Sequence, residues 1–111
     1  MKVKELAEKL NLKWIAGDHT DREIHDCYIC DMLSYVMAKA KENDAWITVQ
    51  TNGNVVAVAS LADCACVIIP EDIVVEAATI EKANKQGVII LGAHQTAFEI
   101  ACAIGEGLNK K

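Results

Sequence analysis

A chain of 111 residues is the size of one domain with a single modest core, and a 52% hydrophobic fraction is high for so small a protein, which favours a homodimer. The formal net charge is −5 and no basic block is longer than Lys110-Lys111, so nucleic-acid binding has no electrostatic footprint. No apolar run nears the roughly 18 residues of a membrane span, and the chain opens as an amphipathic helix and not as a signal peptide, so the expectation is a cytoplasmic protein whose five cysteines are thiols.

Val3, Leu6, Ala7 and Leu10 recur at helical spacing, which predicts a short helix over 2–10. Residues 12–16 form a brief apolar strand closed by Gly17-Asp18. A second strand follows over 24–29. Asp31 stands where a carboxylate caps a helix, and Leu33, Val36, Met37 and Ala40 form that helix's apolar stripe. Residues 45–50 read as a strand. Asn54 is positioned to cap a helix over 55–62 whose valines are apolar all round, as in a buried helix.

The runs 66–69 and 88–91 are apolar without alternation, which suits parallel strands covered on both faces. Between them, residues 76–86 carry Glu81 and Lys85 at a helix-supporting spacing, with Gly87 as the stop. Thr96-Ala97-Phe98-Glu99 is a capping box, and Ile100, Ala103, Ile104 and Leu108 continue the last helix. The second half therefore reads β-α-β-α-β-α on a small parallel sheet with right-handed crossovers. The whole chain, 1–111, reads as a single domain.

Several residues are candidates for function. Arg22 is the sole arginine and follows Asp21; the pair suits either an anion pocket or an ion pair holding a turn, and the second reading is favoured. Three loops follow the carboxyl ends of the parallel strands, where ligands bind in open α/β sheets. They are Thr51-Asn52-Gly53-Asn54, Pro70-Glu71-Asp72 and Gly92-Ala93-His94-Gln95-Thr96. Thr51, Asn52, Gly53, Asn54, His94 and Thr96, with Asp21 and Arg22, make up the expected ligand-binding set. Each is individually explained as well by turn or cap chemistry.

Cys27-Tyr28-Ile29-Cys30 has the CxxC form, and Cys64 and Cys66 follow later. A metal or iron–sulfur centre needs those four thiolates to converge. On a continuous strand, however, positions 27 and 30 face opposite ways. Burial as small hydrophobes is the simpler account, and no cofactor is implied. No GxxxxGK followed by Ser or Thr, no GxSxG and no HExxH is present, so catalysis has no motif to rest on. A hydrolase or transferase would instead need His94 within hydrogen-bond reach of a carboxylate such as Glu71 in a cleft.

The order of Asp21-Arg22, the strand through Tyr28, Asp31-Met32-Leu33-Ser34, Trp46-Ile47-Thr48, Asn54 and the last two β-α units resembles the DRTGG domain over about residues 2–108. The resemblance implies a three-layer α/β/α fold similar to the N-terminal domain of HPr kinase/phosphorylase. It also implies a non-catalytic regulatory and dimerising role. Members of that family stand alone, some encoded near iron-only hydrogenases, or are joined to CBS domains of regulatory pyrophosphatases or to phosphotransacetylases. The expected partners are a second copy, an associated enzyme such as a hydrogenase-associated protein, or a small anionic, nucleotide-like metabolite. The chain departs from the family pattern at His25-Asp26, where Thr-Gly is usual, and at Cys27 and Cys30, where small residues are common.

Overall fold

The computed structural model describes residues 1–109; Lys110 and Lys111 lie outside them. Ten elements follow in chain order: α1 Val3–Leu10, β1 Lys13–Ala16, β2 Asp26–Ile29, α2 Leu33–Lys39, β3 Asp44–Ile47, α3 Asn54–Ala62, β4 Cys66–Ile69, α4 Ala77–Gln86, β5 Ile90–Gly92 and α5 Ala97–Gly107. The described residues form a five-stranded sheet in the order β1-β5-β4-β3-β2. Strands β2 to β5 are mutually parallel, and β1 closes the β5 edge antiparallel. This is the expected α/β class.

The sheet has an apolar layer on each face. Ala45, Ile47, Cys66, Ile68 and Leu91 pack with Val3 and Leu6 of α1 and with Ile100, Ala103 and Ile104 of α5. The alternate residues Trp46, Val67, Ile69 and Ile90 pack with Val36, the valines of α3 and Ala83 of α4. Strand period 2 sends successive side chains to opposite faces, so every residue of β3 and β4 is buried. Strands buried on both faces can carry continuous apolar runs, which is why these segments show no alternation.

Direction of travel explains the layering. From β2 to β5 the chain steps one strand at a time the same way, so three right-handed crossovers put α2, α3 and α4 on one face. After β5 the chain crosses over, and α5 joins α1 on the other.

Local signals hold in part. Thr96 accepts from Glu99 N–H, and the Glu99 carboxylate accepts from Thr96 N–H, as the capping box requires. Lys85 and Glu81 pair at 3.3 Å, and Gly87 ends α4 at φ 71°. Gly17 turns the chain out of β1 at φ 90°, and an added Cβ would lie 2.5 Å from Val88 O. Only glycine fits that approach.

Three local expectations are corrected. Asp31 does not cap α2; its carboxylate accepts from Thr48 Oγ1 at 2.8 Å and Val49 N–H at 2.9 Å, tying the end of β2 to the end of β3. Asn54 is the first residue of α3 and not its cap; its N–H donates to Asn52 Oδ1 at 2.9 Å. Helix α3 is not buried all round, because Ala57, Ser60 and Leu61 face out, and Met37 of α2 is likewise exposed.

Candidate functional site

The expected ligand set separates to opposite ends of the strands. Asp21 and Arg22 lie beside the amino ends. The Arg22 guanidinium donates through Nη1 to Asp63 Oδ1 at 3.1 Å and Cys64 O at 3.0 Å, and through Nη2 to Asn43 Oδ1 at 2.5 Å and Asp63 O at 3.1 Å. Asn43 immediately precedes β3, and Asp63 and Cys64 precede β4. Asn43 and Asp63 hold left-handed φ of 66° and 56°. The planar fork thus fixes two strained turns at the entrances of two core strands. Asp21 Oδ1 accepts from Lys4 N–H at 3.0 Å, in the first turn of α1, and Val3 N–H donates to Arg22 O at 2.9 Å. The pair acts as a structural clamp, and its charged groups are occupied within the chain.

The carboxyl ends are arranged differently. Strand β4 leads to α4 on one face, while its neighbour β5 leads to α5 on the other. Adjacent strands whose exits diverge create the crevice in which α/β sheets hold ligands. Here the two exits are bound together, since Glu71 N–H donates to Gln95 O at 3.0 Å and Asp72 N–H to Ala93 O at 2.9 Å. The opening lies to the side, against the reversed strand β1. A hollow of about 380 Å³ is enclosed there by Lys13 and Ile15 of β1, Ile73–Val75, Ile80 of α4, and Gly92, Ala93 and His94. Its walls are mainly apolar. Gly92 lies beneath Ile15, and a Cβ at 92 would stand 2.8 Å from Ile15 Cδ1, so that side chain would have to shift.

Among the expected ligand residues, His94 alone lines this hollow. Its Nδ1 pairs with Asp72 Oδ1, and both side chains are largely exposed. The carboxylate within reach is Asp72 and not Glu71. Among the described residues no Ser, Thr or Cys lines the hollow. Lys13, also in the lining, has no ion pair among the described residues. Thr51, Asn52, Gly53 and Asn54 stand elsewhere along the same edge. Thr51 Oγ1 is 3.5 Å from Glu76 Oε2, and Lys82 Nζ donates to Gly53 O at 3.3 Å, fastening that loop to α4. Thr96 is occupied by its capping box. Asn11, Lys13 and Ile15 are unforeseen contributors to the hollow, and Asp72 comes from one of the three candidate loops without belonging to the expected ligand set.

The four cysteines of the alternative metal reading do not meet. Cys66 belongs to the layer under α1 and α5, where Cys27 also packs; Cys64 belongs to the opposite layer, with Cys30 against it. Cys27 and Cys66 share a register row with Ala45 between them. Among the described residues no three His, Cys, Asp or Glu side chains are grouped to hold a metal ion. Burial, with Asp44 nearby, pushes the Cys27 and Cys64 thiols up to about 12, and burial raises Cys66 as well. Such thiols resist ionisation and behave as apolar filling. No helix of the described residues is long and apolar enough to cross a membrane.

The family profile of the DRTGG domain matches residues 5–106. The chain belongs to the DRTGG domain family. Among solved structures, the crystal structure of the CBS and DRTGG domains of the regulatory region of Clostridium perfringens pyrophosphatase, complexed with the activator diadenosine tetraphosphate, is similar at a TM-score of 0.72. The two are 12% identical, over 92% of this chain and 45% of that one, so the likeness is one of fold and this chain spans under half of its neighbour. No curated protein matches. Within this DRTGG domain, the Asp-Arg of the motif is the clamp at the strand entrances.

Two outcomes follow. Arg22→Ala should lower unfolding free energy by about 2–3 kcal/mol, since it strands two carbonyls and an amide oxygen; the half-exposed Asp63 adds little. Arg22→Lys should recover less than half of that, as read from denaturant midpoints at constant m-value, and full recovery would contradict the fork. The thiols set an alkaline limit. Their folded values lie above the ordinary 9.0, so below pH 9 both states hold the proton and nothing is lost. From pH 9 towards 12 the unfolded chain sheds protons that the folded chain keeps, so stability falls as pH rises. Replacing Cys27 by Ala should flatten that decline in urea titrations taken at pH 8, 9.5 and 10.5.

Proposed function

We propose that this chain is a non-catalytic regulatory domain that senses a small anionic, nucleotide-like metabolite in the hollow beside β5. The observation that carries this reading is the hollow itself. It lies at the carboxyl edge of the sheet where neighbouring exits diverge, and its volume is within the range of small-molecule sites. Its apolar walls suit a flat base. Lys13 and His94 at the rim suit a phosphate. The structural neighbour supports the class of ligand, being a regulatory region complexed with a dinucleotide activator.

We further propose that the domain acts as a homodimer, or pairs with an enzyme that it regulates. Support comes from the β2 end of the sheet. Ile29, Met32, Tyr35 and Val49, all about half exposed, lie at or close to the carboxyl end of this edge strand. Unpaired edges bearing apolar side chains favour association. The solved neighbour supports nucleotide sensing and not a hydrogenase as the partner.

Calorimetric titration with ATP and with diadenosine tetraphosphate tests the ligand reading. Binding is expected, and Gly92→Ala should weaken it roughly tenfold by adding a methyl group to the lining and displacing the Ile15 side chain, with little change in melting temperature. Heat-silent titrations, confirmed by unshifted melting at millimolar nucleotide, would remove the reading. Sedimentation equilibrium tests the association: a dimer is expected, weakened by Ile29→Glu, and a monomer at all concentrations would exclude the homodimer.

A further inference from the structure

We infer that Asp72 is a built-in competitor for the ligand's anionic group, a carboxylate latch on His94 that nucleotide must displace; this rests on the ligand reading above. Asp72 Oδ1 already occupies His94 Nδ1. Both residues line the hollow, together with Lys13, whose ammonium has no ion pair among the described residues. An arriving phosphate therefore meets one available cation, one imidazole already in use, and one negative charge. Like charges at short range oppose binding, and the imidazole cannot give the same N–H to two acceptors.

The latch sits on a turn of left-handed backbone that main-chain hydrogen bonds hold to the exit of β5. Glu71 and Asp72 are consecutive non-glycine residues at φ 58° and 57°. Left-handed backbone is uncommon for Glu and better tolerated by Asp, and both side chains are exposed. Asp72 is held by Asp72 N–H to Ala93 O, by Ile73 N–H to Pro70 O at 3.2 Å, and by the contact with His94. Removing the last of these frees the carboxylate end of a strained turn. Downstream, Ile73, Val74 and Val75 form one wall of the hollow, and Val74 is 84% exposed. Displacement of Asp72 by phosphate thus takes place beside this wall.

The inference yields a sign opposite to that of an ordinary contact. Asn tolerates left-handed φ, so Asp72→Asn keeps the turn while removing the charge. It should tighten ATP binding roughly fivefold in calorimetry, in line with an exposed ion pair of modest worth. Adenosine, which carries no phosphate, should bind both proteins within twofold. His94→Gln should weaken ATP binding, and in the double variant the Asp72→Asn gain should vanish. Wild-type binding that Asp72→Asn leaves unchanged or weakens would overturn the latch while sparing the site. ATP binding by neither protein would overturn both. Equal tightening of adenosine and ATP would also overturn the latch, because the effect would then not be on the anion.

Discussion

The central constraint is that β3 and β4 have no face open to water. Every polar backbone group in them must be paired within the sheet, and every side chain must meet another layer. Parallel pairing satisfies the first demand. It also forces a crossover between each pair of strands, and those crossovers supply the helices that satisfy the second. Layer count, helix placement and the position of the strand exits follow from this.

The same constraint locates the candidate site. Helices α2, α3 and α4 share one face because the chain steps steadily across the sheet, and a single change of face after β5 leaves one divergence of exits. Reversed strand β1 turns that divergence into a hollow by walling its open side. Function is thus supported at the place where the regular pattern of the fold is broken. The opposite edge is where order is secured, by a guanidinium joining the entrances of the two central strands.

Much of this architecture was legible in the sequence. The unalternating runs at 66–69 and 88–91 identified parallel strands, because burial on two faces removes the need for polar positions. The capping box at Thr96 and the stop at Gly87 were legible because they are local chemistry. Asp31 and Asn54 misled because their position suits a cap, while their actual partners lie on another strand or in the preceding turn. The hollow was only half legible. Loops 70–72 and 92–96 were named, but Lys13 and Ile15 arrive through antiparallel pairing of β1 with β5, across more than seventy residues that carry no pairing signal. Asp21 and Arg22 drew attention as charges beside a turn, and the spacing could not show that their partners lie in the first turn of α1 and at the amino ends of the strands, remote from any crevice.

The clamp also has an asymmetry. Two of the four acceptors of Arg22 are main-chain oxygens, at Asp63 and Cys64, which exist whatever amino acid occupies those positions. Drift at 63 or 64 removes at most one of these bonds, whereas truncation at 22 removes all four. Mutational tolerance in this region is therefore lopsided: one codon carries most of the junction, while the left-handed turns at Asn43 and Asp63 set their own, separate limit on what may stand there.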